Sequence, residues 1–329
     1  MTVELVHETW PGRIGTATIG ATAAEGGTRS RTITVGGHGA LPFQPGDAPS
    51  PHRPVVALEV FDAVPPDWPE HLRESLGDVL DSPADWARKG VEEFGADLIC
   101  LRLFGPHPDV NDASPDAAAA TVRAVLEAVD VPLIVLGCGH PDKDNEIWPR
   151  MTEAARGERC LMGVAVPENY KTLVVACLAD GHSILAEGPI DVNIQKQLTI
   201  LITAMGLPAE RVIMHPGTAS LGYGLEYEYS IMERIRLAGL QGDKMLAQPV
   251  LTIVGEESWK AKEARLDASA MPVWGEAARR GPAWEAATAA AYLQSGTDIV
   301  VLVHPEALAA TKRMIEQLTP TTAGATAGA

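Results

Sequence analysis

Cysteine is scarce in this chain of 329 residues: there are four, Cys100, Cys138, Cys160 and Cys177. None belongs to a C-x-x-C pair, and their spacing matches no zinc or iron–sulfur pattern. They are therefore expected to be buried, reduced and structural, and the chain to carry no metal cluster of its own. Positive charge is short as well, with 26 Lys and Arg against 43 Asp and Glu and a net charge of −17. A surface that acidic repels phosphate backbones and anionic bilayers, which argues against nucleic acid as a partner. No apolar run reaches the ~20 residues that cross a membrane. The opening MTVELVHETWPG has neither the basic nor the apolar segment of a secretory signal, so the expected compartment is the cytoplasm.

What the chain does have, from residue 55 onward, is a rhythm. Short runs rich in Val, Ile and Leu recur as VVALEV (55–60), DLICLRL (97–103), PLIVLGC (132–138) and CLMGVAV (160–166). They continue as HSILAEG (182–188), RVIMHPG (211–217), PVLTIVG (249–255) and DIVVLVH (298–304). Each is too short for a helix and suits a strand buried on both faces of a parallel sheet. Amphipathic stretches of helical length separate them, at 142–156, 168–179, 191–205, 225–238, 276–294 and 305–317. Two more open at Ser82-Pro83 and Ser114-Pro115, each pair reading as N-cap and first helical residue.

Eight strand–helix units predict an α/β fold, a closed (β/α)8 TIM barrel, because parallel neighbours each need a helical crossover. A doubly wound open sheet is the main competitor, and it usually carries G-x-G-x-x-G after its first strand. Here Val60 is followed by FDAVPPDWP. Ahead of the barrel, RIGTATIGATAAEGGTRSRTITVG (13–36) reads as a β-hairpin turning at Gly26-Gly27, expected to cover the barrel's N-terminal end. The resulting division is hairpin and loop over 1–54, barrel over 55–317, and a tail over 318–329 expected to be disordered.

The loops after the strand C-termini should carry function. They offer Glu59 and Asp62, Arg102, Gly137-Cys138-Gly139, and Glu168 with Asn169 and Tyr170. Further round come Glu187, Asp191 and Asn193, then His215, Gly217 and Gly222-Tyr223-Gly224, then Gly255, Glu257 and Trp259, and finally His304. No strand contains the lysine of a Schiff-base enzyme. Neither H-x-H nor H-E-x-x-H occurs, nor a G-x-S-x-G elbow, nor a P-loop. Neither catalytic residues nor metal ligands are expected. Glycines that admit close backbone approach, with amide donors and acceptors on Asn169 and Asn193 and a helix start at Asp191, suit a wide ligand rimmed with amides.

Several segments carry a resemblance: GGTRSRTITVGG (26–37), PENYKTL (167–173), DVNIQKQLTILI (191–202), LGYGLEYEYSIMERIRLAGLQGDKML (221–246) and SWKAKEA (258–264). With them the chain resembles, from about residue 13 to 317, the small subunit of the corrinoid iron–sulfur protein, the delta subunit of acetyl-CoA decarbonylase/synthase. The resemblance implies a barrel whose top face encloses a cobamide together with a larger partner that carries the iron–sulfur cluster. The cobalt would take a methyl group from a methyl-tetrahydropterin through a separate methyltransferase and hand it to acetyl-CoA synthase, in the reductive acetyl-CoA (Wood–Ljungdahl) pathway of carbon fixation. Asn169, Asp191, Asn193, Gly222, Tyr223, Gly224 and Trp259 are the residues expected against that corrinoid, and His215 is given no role.

Other methyl carriers supply a lower cobalt ligand from D-x-H-x-x-G. Asp180-Gly181-His182-Ser183-Ile184-Leu185 has Leu in place of the final Gly and falls at the wrong end of its strand, so it reads as a chance match. One rival function is a free-standing barrel methyltransferase that holds the pterin itself through Asp62, Asn169 and Asp191. A purely structural scaffold is another, and would be expected to plug its mouth with large apolar side chains.

Overall fold

The computed structural model describes residues 9–43 and 51–319. Among the described residues, ten strands and eleven α-helices follow one another in chain order. The first two strands, β1 (Thr16–Ile19) and β2 (Ile33–Gly36), pair antiparallel. Then come β3 (Val55–Phe61), α1 (Glu70–Leu76), α2 (Pro83–Glu92), β4 (Leu98–Arg102), α3 (Pro115–Ala128), β5 (Leu133–Leu136) and α4 (Pro141–Ala154). The middle of the chain forms β6 (Leu161–Ala165), α5 (Tyr170–Asp180), β7 (Ser183–Glu187), α6 (Val192–Ala204), β8 (Val212–His215) and α7 (Leu225–Leu240). The last units are β9 (Leu251–Ile253), α8 (Val254–Lys260), α9 (Lys262–Arg265), α10 (Ala277–Ser295), β10 (Ile299–Leu302) and α11 (Pro305–Leu318).

Strands β3 to β10 form one parallel sheet in the order β8-β7-β6-β5-β4-β3-β10-β9. A parallel bridge between Met214 and Val250 joins its two ends, with the Met214 amide donating to the Pro249 carbonyl at 2.8 Å. The sheet is therefore a closed barrel, and each expected strand run lies on one of its eight strands. The serines expected as caps act as such: Ser82 Oγ accepts from the Asp85 amide at 3.3 Å and Ser114 Oγ from the Ala117 amide at 3.2 Å.

Side chains alternate between two layers. Leu58, Val60, Ile99, Leu101, Val135 and Val300 face outward and pack under the helices with Trp86, Trp148 and Tyr292. Ala57, Leu98, Cys100, Ile134, Leu136, Leu161, Leu185, Ile213, Leu251, Ile299 and Val301 face inward. This inner cluster also contains Ala17, Ile19, Ile33 and Val35, so the hairpin is a stopper. It enters at the N-terminal end, where the Gly20 amide donates to the Arg159 carbonyl ahead of β6 and the Ser30 amide to the Asp130 carbonyl ahead of β5. The hairpin differs from the tight turn expected at Gly26-Gly27. Residues 20–32 separate its strands, because Thr28 and Arg29 are drawn onto the buried carboxylate of Glu158. Gly27 is pressed on the Ala21 carbonyl, where a Cβ would come within 2.3 Å of the oxygen.

Helices α1, α8 and α9 are absent from the sequence reading. The seventh run, PVLTIVG, turns helical at Val254, so Gly255, Glu257 and Trp259 lie on α8 and not in an open loop. Gly255 admits this turn, since a Cβ there would meet the Val303 backbone nitrogen at 2.8 Å. The expected tail falls outside the described residues from 320 onward. No helix among the described residues is long and apolar enough to cross a membrane.

Candidate functional site at the barrel mouth

The inward-facing positions are apolar through the lower layers and become charged at the top. On β3 the position after Ala57 is Glu59, and on β4 the one after Cys100 is Arg102. On β7 Leu185 is followed by Glu187, and on β8 Ile213 by His215. Because the side-chain period is two, all four point into the barrel at its C-terminal end. Arg102 Nε donates to Glu59 Oε1 at 2.6 Å, and Arg102 Nη2 lies 2.9 Å from Glu256 Oε2 on α8. Glu256 and Glu257 both receive the Lys260 ammonium at 2.8 Å. His215 Nε2 stands 3.6 Å from Glu187 Oε1, and its Nδ1 contacts the Leu251 carbonyl at 3.1 Å.

Electrostatics separates these carboxylates. Complete burial raises Glu59 above the usual range despite Arg102, whereas the same guanidinium holds Glu256 well below it. Glu59 Oε2 is buried without a hydrogen-bond partner. Above this floor lies a cavity of about 250 Å³ whose lining includes Arg102, Asp144, Asn169, Glu187, His215 and Glu256. Beside it, Glu228 on the first turn of α7 is buried beneath the loop after β8, and a Cβ at Gly217 would come 2.5 Å from its Oε1. Burial, aided by Glu187 and Glu257, pushes its carboxyl up to about 7.

Of the residues singled out in the sequence, Gly222, Tyr223 and Gly224 lie on the loop after β8 and Asn193 at the start of α6, just past the loop after β7, and none of the four lines this cavity. Tyr223 is 48% exposed, and Ile190 and Leu221 expose apolar surface on the same two loops. Those loops are tied together by the Ile190 amide donating to the Pro216 carbonyl at 3.1 Å. The Tyr223 hydroxyl donates to Glu263 Oε2 at 2.8 Å, which fastens the second loop to α9. Gly222 and Gly224 have φ of 76° and 105°, a region that side chains resist, so glycine shapes this turn.

Asp191 and Asn169 work on their own loops. Asp191 Oδ1 accepts from the Asn193 and Ile194 amides at 2.7 and 3.4 Å and caps α6. Asn169 is buried and lines the cavity, but its amide closes the loop after β6, accepting from the Val166 amide and donating to the Val164 carbonyl. Trp259 is 3% exposed and presents no face to the mouth. Its indole stacks on His304 and packs against a tilted His71 ring, and its Nε1 donates to Glu285 at 2.8 Å. It points inward because α8 replaces the expected loop.

Of the charged floor of Glu59, Arg102, Glu187, His215 and Glu256, the first four were expected on the functional face but not against the corrinoid, and Glu256 was missed. The floor's signal was present in the sequence, as a charged residue two positions beyond an inward apolar one on four strands. His182 is buried at the N-terminal end of β7, where Nδ1 accepts from the Cys160 amide and Nε2 contacts the Thr152 carbonyl. That contact set agrees with a chance match to the cobalt-ligand motif. The four cysteines are free and buried, and burial pushes Cys138 and Cys160 up to about 12. Among the described residues no group of three or more His, Cys, Asp or Glu has the geometry to hold a metal ion.

Comparison with known proteins decides the family. The family model described as CO dehydrogenase/acetyl-CoA synthase delta subunit matches residues 18–316. This chain belongs to that family. The acetyl-CoA decarbonylase/synthase complex subunit delta of Methanosarcina mazei is 40% identical over 94% of the chain and 71% of its own length. That of Methanopyrus kandleri is 37% identical, over 93% and 76%. Among solved structures, dihydropteroate synthase from Xanthomonas albilineans with 4-aminobenzoic acid superposes with a TM-score of 0.55 at 15% identity, covering 84% of this chain and 95% of that one. The likeness is one of fold, a TIM barrel. Both relatives are named as subunits of a complex.

Proposed function

We propose that this delta subunit is the small, cytoplasmic half of a corrinoid iron–sulfur protein and holds one face of a cobamide over its barrel mouth. A larger partner supplies the other half-site and the iron–sulfur cluster. When bound, the corrinoid supplies cobalt as the methyl acceptor, charged from a methyl-tetrahydropterin by a separate methyltransferase and discharged to acetyl-CoA synthase.

The observation that carries the reading is the rim of the β7 and β8 loops. Ile190 and Tyr223 expose apolar surface there at 62% and 48%, with Tyr223 carried between Gly222 and Gly224 and Asn193 exposed on the first turn of α6. A corrin presents a broad apolar edge fringed by amides, and such a rim meets both halves of that chemistry. Asn193, Gly222, Tyr223 and Gly224 would touch the ligand. Asp191 and Asn169 would hold the loops that do, and Trp259 would support α8 from below. The chain's part is binding, orientation and exclusion of water, and no residue of its own is required as nucleophile or base.

The test pairs Asn193→Ala with Tyr223→Ala in the chain co-purified with its large partner. Corrinoid content, read from visible absorbance, is expected to fall several-fold while circular dichroism stays unchanged. Full occupancy in the double variant would remove this rim from the site.

A further inference from the structure

The loop after β8, residues 216–224, closes over a carboxyl group that it does nothing to satisfy. Glu228 is 3% exposed, and its Oε2 is buried without a hydrogen-bond partner. Gly217 is pressed on the same group: a Cβ there would come 2.5 Å from Oε1, and its φ of 105° is one that a side chain resists. The loop is held shut from outside. The Ala219 amide donates to the Tyr292 hydroxyl at 2.8 Å, and that hydroxyl donates in turn to the Ala219 carbonyl. The Leu221 amide donates to Thr288 Oγ1 at 3.3 Å, and the Tyr223 hydroxyl to Glu263. These clasps must outlast whatever charge develops beneath them.

Nothing around Glu228 neutralises such a charge. Glu187 faces it from β7, with His215 of β8 as its own neighbour at 3.6 Å. Glu257 faces it from α8, and the Lys260 ammonium there is already shared between Glu257 and Glu256 at 2.8 Å each. Tyr292 of α10 is neutral and engaged by Ala219. The start of α7 favours a negative charge, typically by less than about tenfold in the ionisation equilibrium, and burial outweighs it. Burial and two like charges therefore keep the carboxyl protonated up to about 7 while the loop is shut. Once the loop lifts, water reaches the group and it ionises at its ordinary 4.5.

We propose that the loop after β8 is a proton-operated latch on the barrel mouth, shut while Glu228 is neutral and released when Glu228 ionises. Gly217 and Gly224, both at φ of 105°, are the hinges at its two ends. The released loop carries Tyr223 away from Glu263, so the rim is complete only in the shut form. By linkage, the preference for the shut form falls as pH rises from 4.5 to about 7 and is level on either side of that window.

Hydrogen exchange of the full chain, expressed as protection relative to the unstructured rate at each pH, reads the latch at the Ala219 and Leu221 amides, whose acceptors lie on α10. Between about pH 5 and about pH 7.5 their protection is expected to fall about tenfold or more. In Glu228→Gln it is expected to stay level, because the amide cannot ionise. Tyr292→Phe removes a clasp and keeps the carboxyl, so Ala219 is expected to lose protection at both pH values and still to show the fall. This second variant keeps the test standing if Glu228→Gln folds poorly. The amides of Leu101 and Val135, in the barrel strands, are expected to keep their protection throughout, which separates release of the loop from unfolding. Protection that is level with pH in the parent, an equally steep fall in Glu228→Gln, or a parallel loss at Leu101 and Val135 would each overturn the latch.

Discussion

At the scale of single residues, the mouth is governed by where burial leaves a charge. Glu228 and Glu285 are both buried and both pushed up to about 7, yet by different surroundings. Glu285 accepts hydrogen bonds from the Val303 amide and from Trp259 Nε1, which partly offset its desolvation. Glu228 Oε2 has no partner, and Glu187 and Glu257 add repulsion. Between the ordinary value of 4.5 and about 7 the folded chain keeps a proton on Glu228 that the unfolded chain has released. Linkage then makes its contribution to stability complete below pH 4.5 and progressively lost as pH rises through 7. A shift of that size corresponds to ~3 kcal/mol. Glu228→Gln cannot ionise, so its stability relative to the parent is expected to improve by up to ~3 kcal/mol between pH 4.5 and 8. Urea unfolding of both proteins across that range reads the difference directly, and a constant difference would contradict the assignment. His304, lowered by burial from the ordinary 6.5 to about 4, acts with opposite sign between those values, a window that overlaps that of Glu228, which is why the comparison is between variants.

At the scale of elements, helix starts were the most legible feature of the chain. Ser-Pro at 82–83 and 114–115 fixes the first turn twice over: the hydroxyl satisfies an amide that the helix cannot, and proline presets φ where no donor is needed. Ser114→Ala is expected to lower stability by about 1 kcal/mol, measured as a shift in the urea midpoint at unchanged slope. Helix α8 was illegible for a corresponding reason. It begins directly on the last strand residues of PVLTIVG, without a side-chain cap, and its first two residues, Val254 and Gly255, simply continue that apolar run. Periodicity cannot divide such a run, so Trp259 was read as facing the mouth when packing turns it onto His304 and Glu285.

At the scale of the whole molecule, the hairpin closes the bottom of the barrel and leaves the cavity at the top uncovered. Its apolar strand residues join the inner core, and one buried arginine locks it in place. Arg29 donates to Glu158 at 2.8 Å and to the carbonyls of Leu126 and Val129 at 2.8 and 2.6 Å. Arg29→Met removes the cation and leaves the Glu158 carboxylate buried without it. The expected cost is about 3–5 kcal/mol, appearing as a lower denaturation midpoint. Because the lock lies at the end of the barrel away from the rim, corrinoid occupancy of the folded fraction is expected to stay at the parent level. A coupled loss of occupancy in the folded fraction would mean that the two ends communicate.

The sequence by itself determined the barrel. Eight apolar runs, each followed by an amphipathic stretch, leave a parallel sheet with helical crossovers as the arrangement that buries them, and the family's segments at 167–173, 191–202 and 221–246 begin on its C-terminal loops and run into α5, α6 and α7. Local signals sufficed there because strand burial, capping and turn chemistry are properties of neighbours in the chain. The tertiary structure alone decided which polar residues meet. Glu59, Arg102, Glu187 and His215 are separated in sequence by as many as 156 positions between the first and the last (215 − 59). Only closure of the sheet by the Met214–Val250 bridge brings the strands that carry them round to one floor. The same holds for Trp259 and for the two ends of the hairpin lock. Their surroundings come from segments far along the chain, and no local pattern records which side of a closed barrel a distant carboxylate will face.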